Sequence, residues 1–185
     1  MEPEAASWQS AISFPCYSRL QVEEILNKIE MLDHQEESIN NSAHNGNKKG
    51  HFYSIPCMPI AEQMHPFICN IQNLNRWYFG YDIDWAIHLD RYSVNNYEEG
   101  NGQYDWHHDY AHTSPKFDIK LTCLLNLSLE PFDGGILEIA GLEEPPKFDT
   151  GMGIVINSLV SHRVTPVTKG KRITLTYFAT GAPWR

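Results

Sequence analysis

Apolar residues recur at helical spacing in two segments of the first half of the chain. Residues 17–32 show one such segment, and Ser18 followed by Gln21 forms the pattern of a capping box at its start. Residues 59–77 form the second segment. Residues 33–50 between them are polar and predict a loop, for which a surface connector is favoured over a lid.

The pattern changes after residue 80, where apolar positions begin to alternate. Residues 82–92 predict a strand and residues 95–102 a turn. Further strands are predicted at residues 119–129, 136–139, 153–157 and 172–178. Helices followed by many short strands predict an α+β fold whose strands form a sandwich or barrel.

The chain of 185 residues most simply forms one domain. Residues 1–80 are expected to be mainly helical and to support a core formed by residues 81–180. The net charge of −9 argues against nucleic acid or an anionic membrane as partner. It favours a neutral or basic substrate, and solubility alone explains such a charge about as well. No stretch approaches the roughly 20 apolar residues of a membrane span. The four scattered cysteines indicate reduced thiols and predict a cytoplasmic protein.

The first candidate metal ligands are His107 and Asp109, which form an H-x-D pair. On a strand or at its end, side chains two positions apart share a face, so both can bind one metal ion while His108 points away. Taken alone, such a pair is a weak signal. His162 is the best candidate for a third ligand, and Arg172 follows it by ten residues.

Two imidazoles and one carboxylate can occupy one face of an Fe(II) ion and leave positions open for a co-substrate and oxygen. A fixed cation just beyond the third ligand, Arg172, can hold the far carboxylate of 2-oxoglutarate. A surface ion pair is the plainer role for this arginine, but its offset from His162 favours the co-substrate. The order of the four residues predicts an oxygenase.

The second half of the chain resembles the prolyl 4-hydroxylase-like 2-oxoglutarate/Fe(II) dioxygenases. The resemblance rests on four motifs, Tyr104-x-x-His107-x-Asp109, Leu124-Leu125-Asn126, Phe132-x-Gly134-Gly135-x-Leu137 and His162-Arg163-Val164-x-Pro166-Val167-x-x-Gly170-x-Arg172. It implies a double-stranded β-helix, or jelly roll, with iron bound by His107, Asp109 and His162. It also implies that Arg172, assisted by Thr174, binds the C5 carboxylate of 2-oxoglutarate.

Two departures from the family pattern affect the site. Residues 156–158 read Ile-Asn-Ser where relatives often have Phe-Pro-Ser, and Leu124 stands where some relatives place a tyrosine that also holds the C5 carboxylate. Tyr92 and Tyr104 are the candidates to replace that hydroxyl, with core packing as the alternative for each. Arginine at 172, where collagen-type enzymes use lysine, aligns the chain with bacterial, phage and small eukaryotic hydroxylases.

The resemblance implies an enzyme that uses Fe(II), 2-oxoglutarate and O2, with ascorbate as an optional reductant. Retention of Asp109 favours hydroxylation over halogenation, because related halogenases vacate that position. The expected substrate is a prolyl residue of a protein or peptide. Two alternatives are a hydroxylase of a free amino acid or other small molecule, and a jelly-roll binding module without activity.

Overall fold

The computed structural model describes residues 9–37, 48–85, 91–110 and 116–184. The central parts of the predicted loop at 33–50 and of the predicted strand at 82–92, namely residues 38–47 and 86–90, lie outside these ranges. The helices are α1 (Arg19–Glu30) and α2 (Ala61–Leu74). The strands of the described residues are β1 (Ala11–Pro15), β2 (Gln35–Glu36), β3 (Lys48–Lys49), β4 (His51–Pro56), β5 (Arg91–Glu98), β6 (Gln103–His107), β7 (Asp118–Asn126), β8 (Asp133–Gly134), β9 (Leu137–Ile139), β10 (Met152–Asn157), β11 (His162–Val164), β12 (Val167–Lys169) and β13 (Lys171–Gly181).

Both predicted helices are present. Helix α1 begins with the capping box, since the Ser18 side chain accepts from the Gln21 backbone N–H and the Gln21 side chain accepts from the Ser18 backbone. Helix α2 is preceded by a 3-10 turn, Met58–Ile60, and followed by a π-helical turn, Asn75–Phe79. The chain leaves that turn at Gly80, whose φ of 69° suits a residue without Cβ.

The strands form two main antiparallel sheets and a short ribbon. The large sheet has the order β1-β10-β7-β13-β5-β4-β2, the small sheet the order β3-β6-β11-β9, and β12 pairs with β8. One buried cluster joins side chains of both main sheets, including Leu124 of β7 and Val164 of β11, so the sheets face each other. This arrangement confirms the predicted α+β fold with packed strands.

The two faces of the large sheet differ in what they cover. On β13, Leu175 and Ala179 pack into the apolar cluster that also holds the buried faces of α1 and α2. Arg172, Thr174 and Thr176 project from the opposite face into a cavity between the sheets. Because strand side chains alternate, the odd-numbered positions from 173 to 179 pack in the core and the even-numbered positions from 172 to 178 line the cavity.

The prediction of a strand at 82–92 followed by a turn at 95–102 is wrong in its bounds. Of the predicted strand, residues 82–85 contain an isolated bridge from Ile83 to Gly181 and no strand, and residues 91 and 92 belong to β5. It continues to Glu98, so Asn95 is a buried strand residue whose side chain donates to Thr176 Oγ1 at 2.8 Å. Residues 1–80 also supply β1 and β4 to the large sheet alongside their helices.

Candidate functional site

The three predicted ligand residues converge at the junction of β6 and β11. His107 ends β6, Asp109 follows two residues later, and His162 begins β11 as the register partner of His107. One potential ligand atom from each lies within 4.8 Å of the others. Asp109 Oδ1 is 3.7 Å from His107 Nε2, and Asp109 Oδ2 is 3.4 Å from His162 Nε2. His108, by contrast, is exposed.

Backbone carbonyls fix the tautomers of both imidazoles. His107 Nδ1 lies 2.7 Å from the carbonyl oxygen of Asp105, and His162 Nδ1 lies 3.1 Å from that of Val160. A carbonyl oxygen only accepts, so each Nδ1 carries the proton and donates it. In the neutral rings Nε2 is then the atom with a free lone pair, and both Nε2 atoms face Asp109. This is the arrangement that a metal-binding histidine requires.

The surroundings of Asp109 keep its carboxylate ionised. Burial alone would raise the pKa of this carboxyl, but His162, His107 and the Thr122 hydroxyl together hold it well below its usual range. Thr122 Oγ1 donates to Oδ2 at 2.6 Å. The pKa of His162 is raised, because the attraction of Asp109 and the bond to Val160 outweigh its own burial. Asp109 therefore faces the two imidazoles as a charged carboxylate.

Arg172 is a buried cation that faces aromatic rings. Its side chain is 2% exposed, and within the described ranges Nη2 has no hydrogen-bond partner. The guanidinium carbon lies 5.3 Å from the ring centroid of Tyr97 and 5.6 Å from that of Phe148. Burial lowers the pKa of Arg172, with Tyr97 opposing the shift. An uncompensated buried charge is costly, so this site is built for an anion.

One cavity of about 580 Å³ joins the His-Asp-His cluster to Arg172. Thr174, predicted to assist the arginine, lines it, as does Leu124 at the position where relatives place a tyrosine. The aromatic and aliphatic residues that line the cavity around these polar groups are Phe52, Tyr97, Tyr104, Leu137, Val164 and Phe178.

The structure separates the two tyrosines predicted to replace the missing hydroxyl. Tyr104 lines the cavity and stacks on His107, with ring centroids 3.4 Å apart. Tyr92 does not reach the cavity, because it occupies the opposite face of β5 and packs against Tyr177 in the helix-covered core. The prediction for Tyr92 is therefore corrected. Core packing, its alternative, is what the structure shows.

Tyr97 is the cavity tyrosine that sequence reasoning missed. It lies five residues beyond Tyr92 on β5, hence on the other face, and its ring contacts Phe52 and the Arg172 guanidinium. Burial raises the pKa of the Tyr97 hydroxyl, which keeps it neutral at physiological pH. A strand predicted through Asn95 to residue 97 would have indicated this position, because residues 93, 95 and 97 of one strand share a face.

The adjacent glycines shape the arginine site. Gly134 and Gly135 both have positive φ, 73° and 59°. A Cβ added to Gly135 would lie 3.0 Å from Cδ of Arg172 and 3.0 Å from Cγ2 of Val167. Glycine at 135 thus leaves the room that the Arg172 stem occupies.

Residues 92–180 match the family model of the 2OG-Fe(II) oxygenase superfamily, a range that contains all four residues of the predicted site. Among curated proteins, no sequence matches the chain significantly. No helix within the described ranges has the length and apolar content needed to cross a membrane.

Several solved structures share the fold at low sequence identity. A Pseudomonas putida prolyl-4-hydroxylase superimposes with a TM-score of 0.64 at 16% identity, over 92% of this chain and 91% of its own. A viral collagen prolyl hydroxylase from Paramecium Bursaria Chlorella virus-1, in complex with 2OG, gives 0.62 at 14% identity, over 96% and 99%. A Trichoplax adhaerens prolyl hydroxylase in complex with a hypoxia inducible factor peptide fragment gives 0.63 at 15%, over 92% and 83%.

These likenesses confirm the predicted jelly roll, and the family match agrees with the geometry of the cavity. Residues 92–180 thus form a domain that matches the 2OG-Fe(II) oxygenase superfamily, a dioxygenase domain that uses Fe(II), 2-oxoglutarate and O2, and the chain shares its fold with the prolyl hydroxylases.

Proposed function

We propose that His107, Asp109 and His162 bind the Fe(II) ion and that Arg172 binds the C5 carboxylate of 2-oxoglutarate. The donor set fits iron, since two neutral imidazoles and one carboxylate leave further positions open for co-substrate and oxygen. The backbone bonds to both Nδ1 atoms and the bond from Thr122 to Asp109 would orient the three ligands.

The observation that carries the proposal is the buried guanidinium of Arg172, whose Nη2 has no partner within the described ranges. A carboxylate can accept two parallel bonds from a guanidinium, which would offset the cost of burying the charge. Thr174 lies two residues further on the same strand face and offers a hydroxyl to the same group. Tyr97 and Phe148 pack beside the guanidinium and limit its contact with water.

Bound iron would supply the activation of O2, the oxidant that hydroxylates an unactivated C–H bond while 2-oxoglutarate is oxidised to succinate and CO2. The protein itself contributes by holding the metal ion, the co-substrate and the substrate in position. Leu124, Leu137 and Val164 form apolar parts of the cavity wall and would limit the access of water to the bound co-substrate.

For the substrate, we propose a prolyl residue in a protein or peptide. The support is the fold shared with three structures described as prolyl hydroxylases, one of them in complex with a peptide fragment. We also propose a cytoplasmic location, for which the four free cysteines are the support.

The co-substrate site is tested by anaerobic titration of the Fe(II) protein with 2-oxoglutarate, followed by the visible charge-transfer absorption. We expect a band in the wild type, a much weaker one in Arg172→Ala and none in His107→Ala. Arg163→Ala is the matched control, because Arg163 is half-buried in an ion pair with Glu138 and does not line the cavity. Bound iron without any band in the wild type would contradict the proposal.

The prolyl proposal is tested with blocked peptides that contain one proline and with the same peptides carrying alanine instead. We expect succinate formation coupled to the gain of one oxygen atom only in the proline peptides. Equal, uncoupled succinate formation with both sets would exclude a prolyl substrate and leave the oxygenase assignment intact.

A further inference from the structure

Lys48 is a second cation of the cavity, to which the proposed chemistry assigns no role. It lies in β3 and pairs in register with Tyr104 of β6. Its ammonium lies 3.9 Å from the ring centroid of Phe52 and 5.3 Å from that of Tyr104. Since Tyr104 stacks on His107, this charge is one aromatic ring away from the metal ligands.

The ammonium of Lys48 is held without a close counter-ion. Within the described ranges, no carboxylate oxygen lies within 4.0 Å of it. Burial lowers the pKa of Lys48, while the more distant Glu37 and Asp109 raise it and so favour the charged form. Aromatic faces attract a cation only weakly compared with a carboxylate. The ammonium therefore keeps most of its capacity to bind an anion.

Aromatic rings separate Lys48 from Arg172. Lys48 lies over Phe52, the Phe52 ring meets Tyr97 edge to face at 5.4 Å, and Tyr97 packs beside the guanidinium of Arg172. Lys48 lies against Phe52 and Tyr104, whereas Arg172 lies against Tyr97 and Phe148, so the two cations contact different rings. The cavity thus has two cationic positions at different places.

Glu37 limits where an anion can bind. It lines the same cavity and accepts a hydrogen bond from Ser93 Oγ at 2.6 Å on the β5 side. An anion in the cavity is repelled by the Glu37 carboxylate and attracted by the Lys48 ammonium.

We propose that Lys48 binds a carboxylate of the primary substrate and thereby selects substrates with an acidic group close to the oxidised C–H bond. The inference rests on the proposed function, because the carboxylates of 2-oxoglutarate are there assigned to iron and Arg172. The carboxylate can belong to an acidic side chain of a peptide or to a free amino acid.

The test compares two pairs of probes that differ by one charge. One pair is a blocked peptide with Asp or Asn after its proline, and the other is L-proline and L-prolinamide. Each probe is titrated into the anaerobic Fe(II)–2-oxoglutarate protein, and the change in the charge-transfer absorption gives its Kd. The ratio of amide Kd to acid Kd is taken within each variant, which cancels effects common to both probes.

We expect at least one pair to give a ratio of about ten in the wild type, as a charge-assisted bond predicts. The ratio should fall to near one in Lys48→Met and below one in Lys48→Glu. Lys49→Met should match the wild type, because Lys49 is exposed and does not line the cavity. A preference confined to the peptide pair identifies a peptide substrate, and one confined to the proline pair identifies a free amino acid.

Three results would overturn the inference. Equal or undetectable binding of both members of each pair is the first. A ratio that Lys48→Met leaves unchanged is the second, and a Lys48→Met variant that loses affinity for 2-oxoglutarate without a change in the ratio is the third. A wild type that shows no charge-transfer band fails at the earlier step, which separates failure of the proposed function from failure of this inference.

Discussion

Thr122 contributes to the metal cluster without being one of its candidate ligands. Its hydroxyl donates to Asp109 Oδ2 at 2.6 Å and is buried, so it fixes the rotation of the carboxylate. We expect Thr122→Val to weaken Fe(II) binding by about tenfold, as loss of an outer partner of a metal ligand typically does.

Thr122→Ser is the matched control, because it keeps the hydroxyl, and it should bind iron nearly as the wild type does. The measurement is an Fe(II) titration under anaerobic conditions. Identical affinities in Thr122→Val and the wild type would show that the hydroxyl serves only packing.

Gly135 supports a second residue-scale prediction, since its hypothetical Cβ would meet Arg172 Cδ at 3.0 Å. We expect Gly135→Ala to raise the KM for 2-oxoglutarate by displacing the arginine stem. Gly141→Ala is the control, because Gly141 also has positive φ, 87°, but no atom within 4 Å of its Cβ position. Both variants should lose about 1–2 kcal/mol of stability from backbone strain. A normal KM in Gly135→Ala would contradict the steric account.

Strand β5 illustrates how one element serves two environments. Tyr97 faces the cavity beside Arg172, whereas Tyr92 faces the helix-covered core. We expect Tyr97→Leu to raise the KM for 2-oxoglutarate by about fivefold through loss of the ring beside the guanidinium. Tyr92→Leu should lower the Tm and leave that KM unchanged. A shift of KM in both variants would mean that the strand faces are not independent.

The contrast between these tyrosines also explains what could be predicted from the sequence. His107, Asp109, His162 and Arg172 were found because a metal site restricts both residue type and spacing. The extent of β5 was missed because Asn95 and Asn96 are typical of turns, yet in the fold both are buried strand residues. A strand that lines a polar cavity lacks the clean alternation on which strand prediction depends.

The short strands β3 and β11 show a second limit. Neither can be recognised from two or three residues, because their pairing with β6 depends on contacts far apart in the sequence. The position of Lys48 beside Tyr104 follows from that pairing. The presence of Lys48 in the cavity, unlike that of Arg172, could therefore not be predicted from the sequence.

At the scale of the whole molecule, burial of the Arg172 charge should lower the stability of the ligand-free protein. Binding of 2-oxoglutarate should restore that stability. We expect ligand-free Arg172→Met to be more stable than the wild type by about 1–3 kcal/mol, because a buried charge is replaced by an apolar chain of similar size. Thermal unfolding without metal or co-substrate measures this, with Arg163→Met as the control that gains nothing.

The same experiment with metal and 2-oxoglutarate should reverse the order. Binding to the native state raises the Tm of the wild type, and Arg172→Met should gain much less. A ligand-free Arg172→Met less stable than the wild type would show that the guanidinium is satisfied within the fold, which would also weaken its assignment to the co-substrate.

The odd and even positions of β13 have a consequence for how such a protein can change. Thr176 and Phe178 line the cavity without being assigned to iron or to 2-oxoglutarate, whereas Leu175 and Ala179 on the other face hold the sheet to the helices. One face of β13 thus contributes to the stability of the fold, and the other face contributes to the shape of the cavity. A variant library restricted to Thr176 and Phe178 would change the wall of the cavity while leaving Arg172 and Thr174 for the co-substrate and the helix-facing core in place.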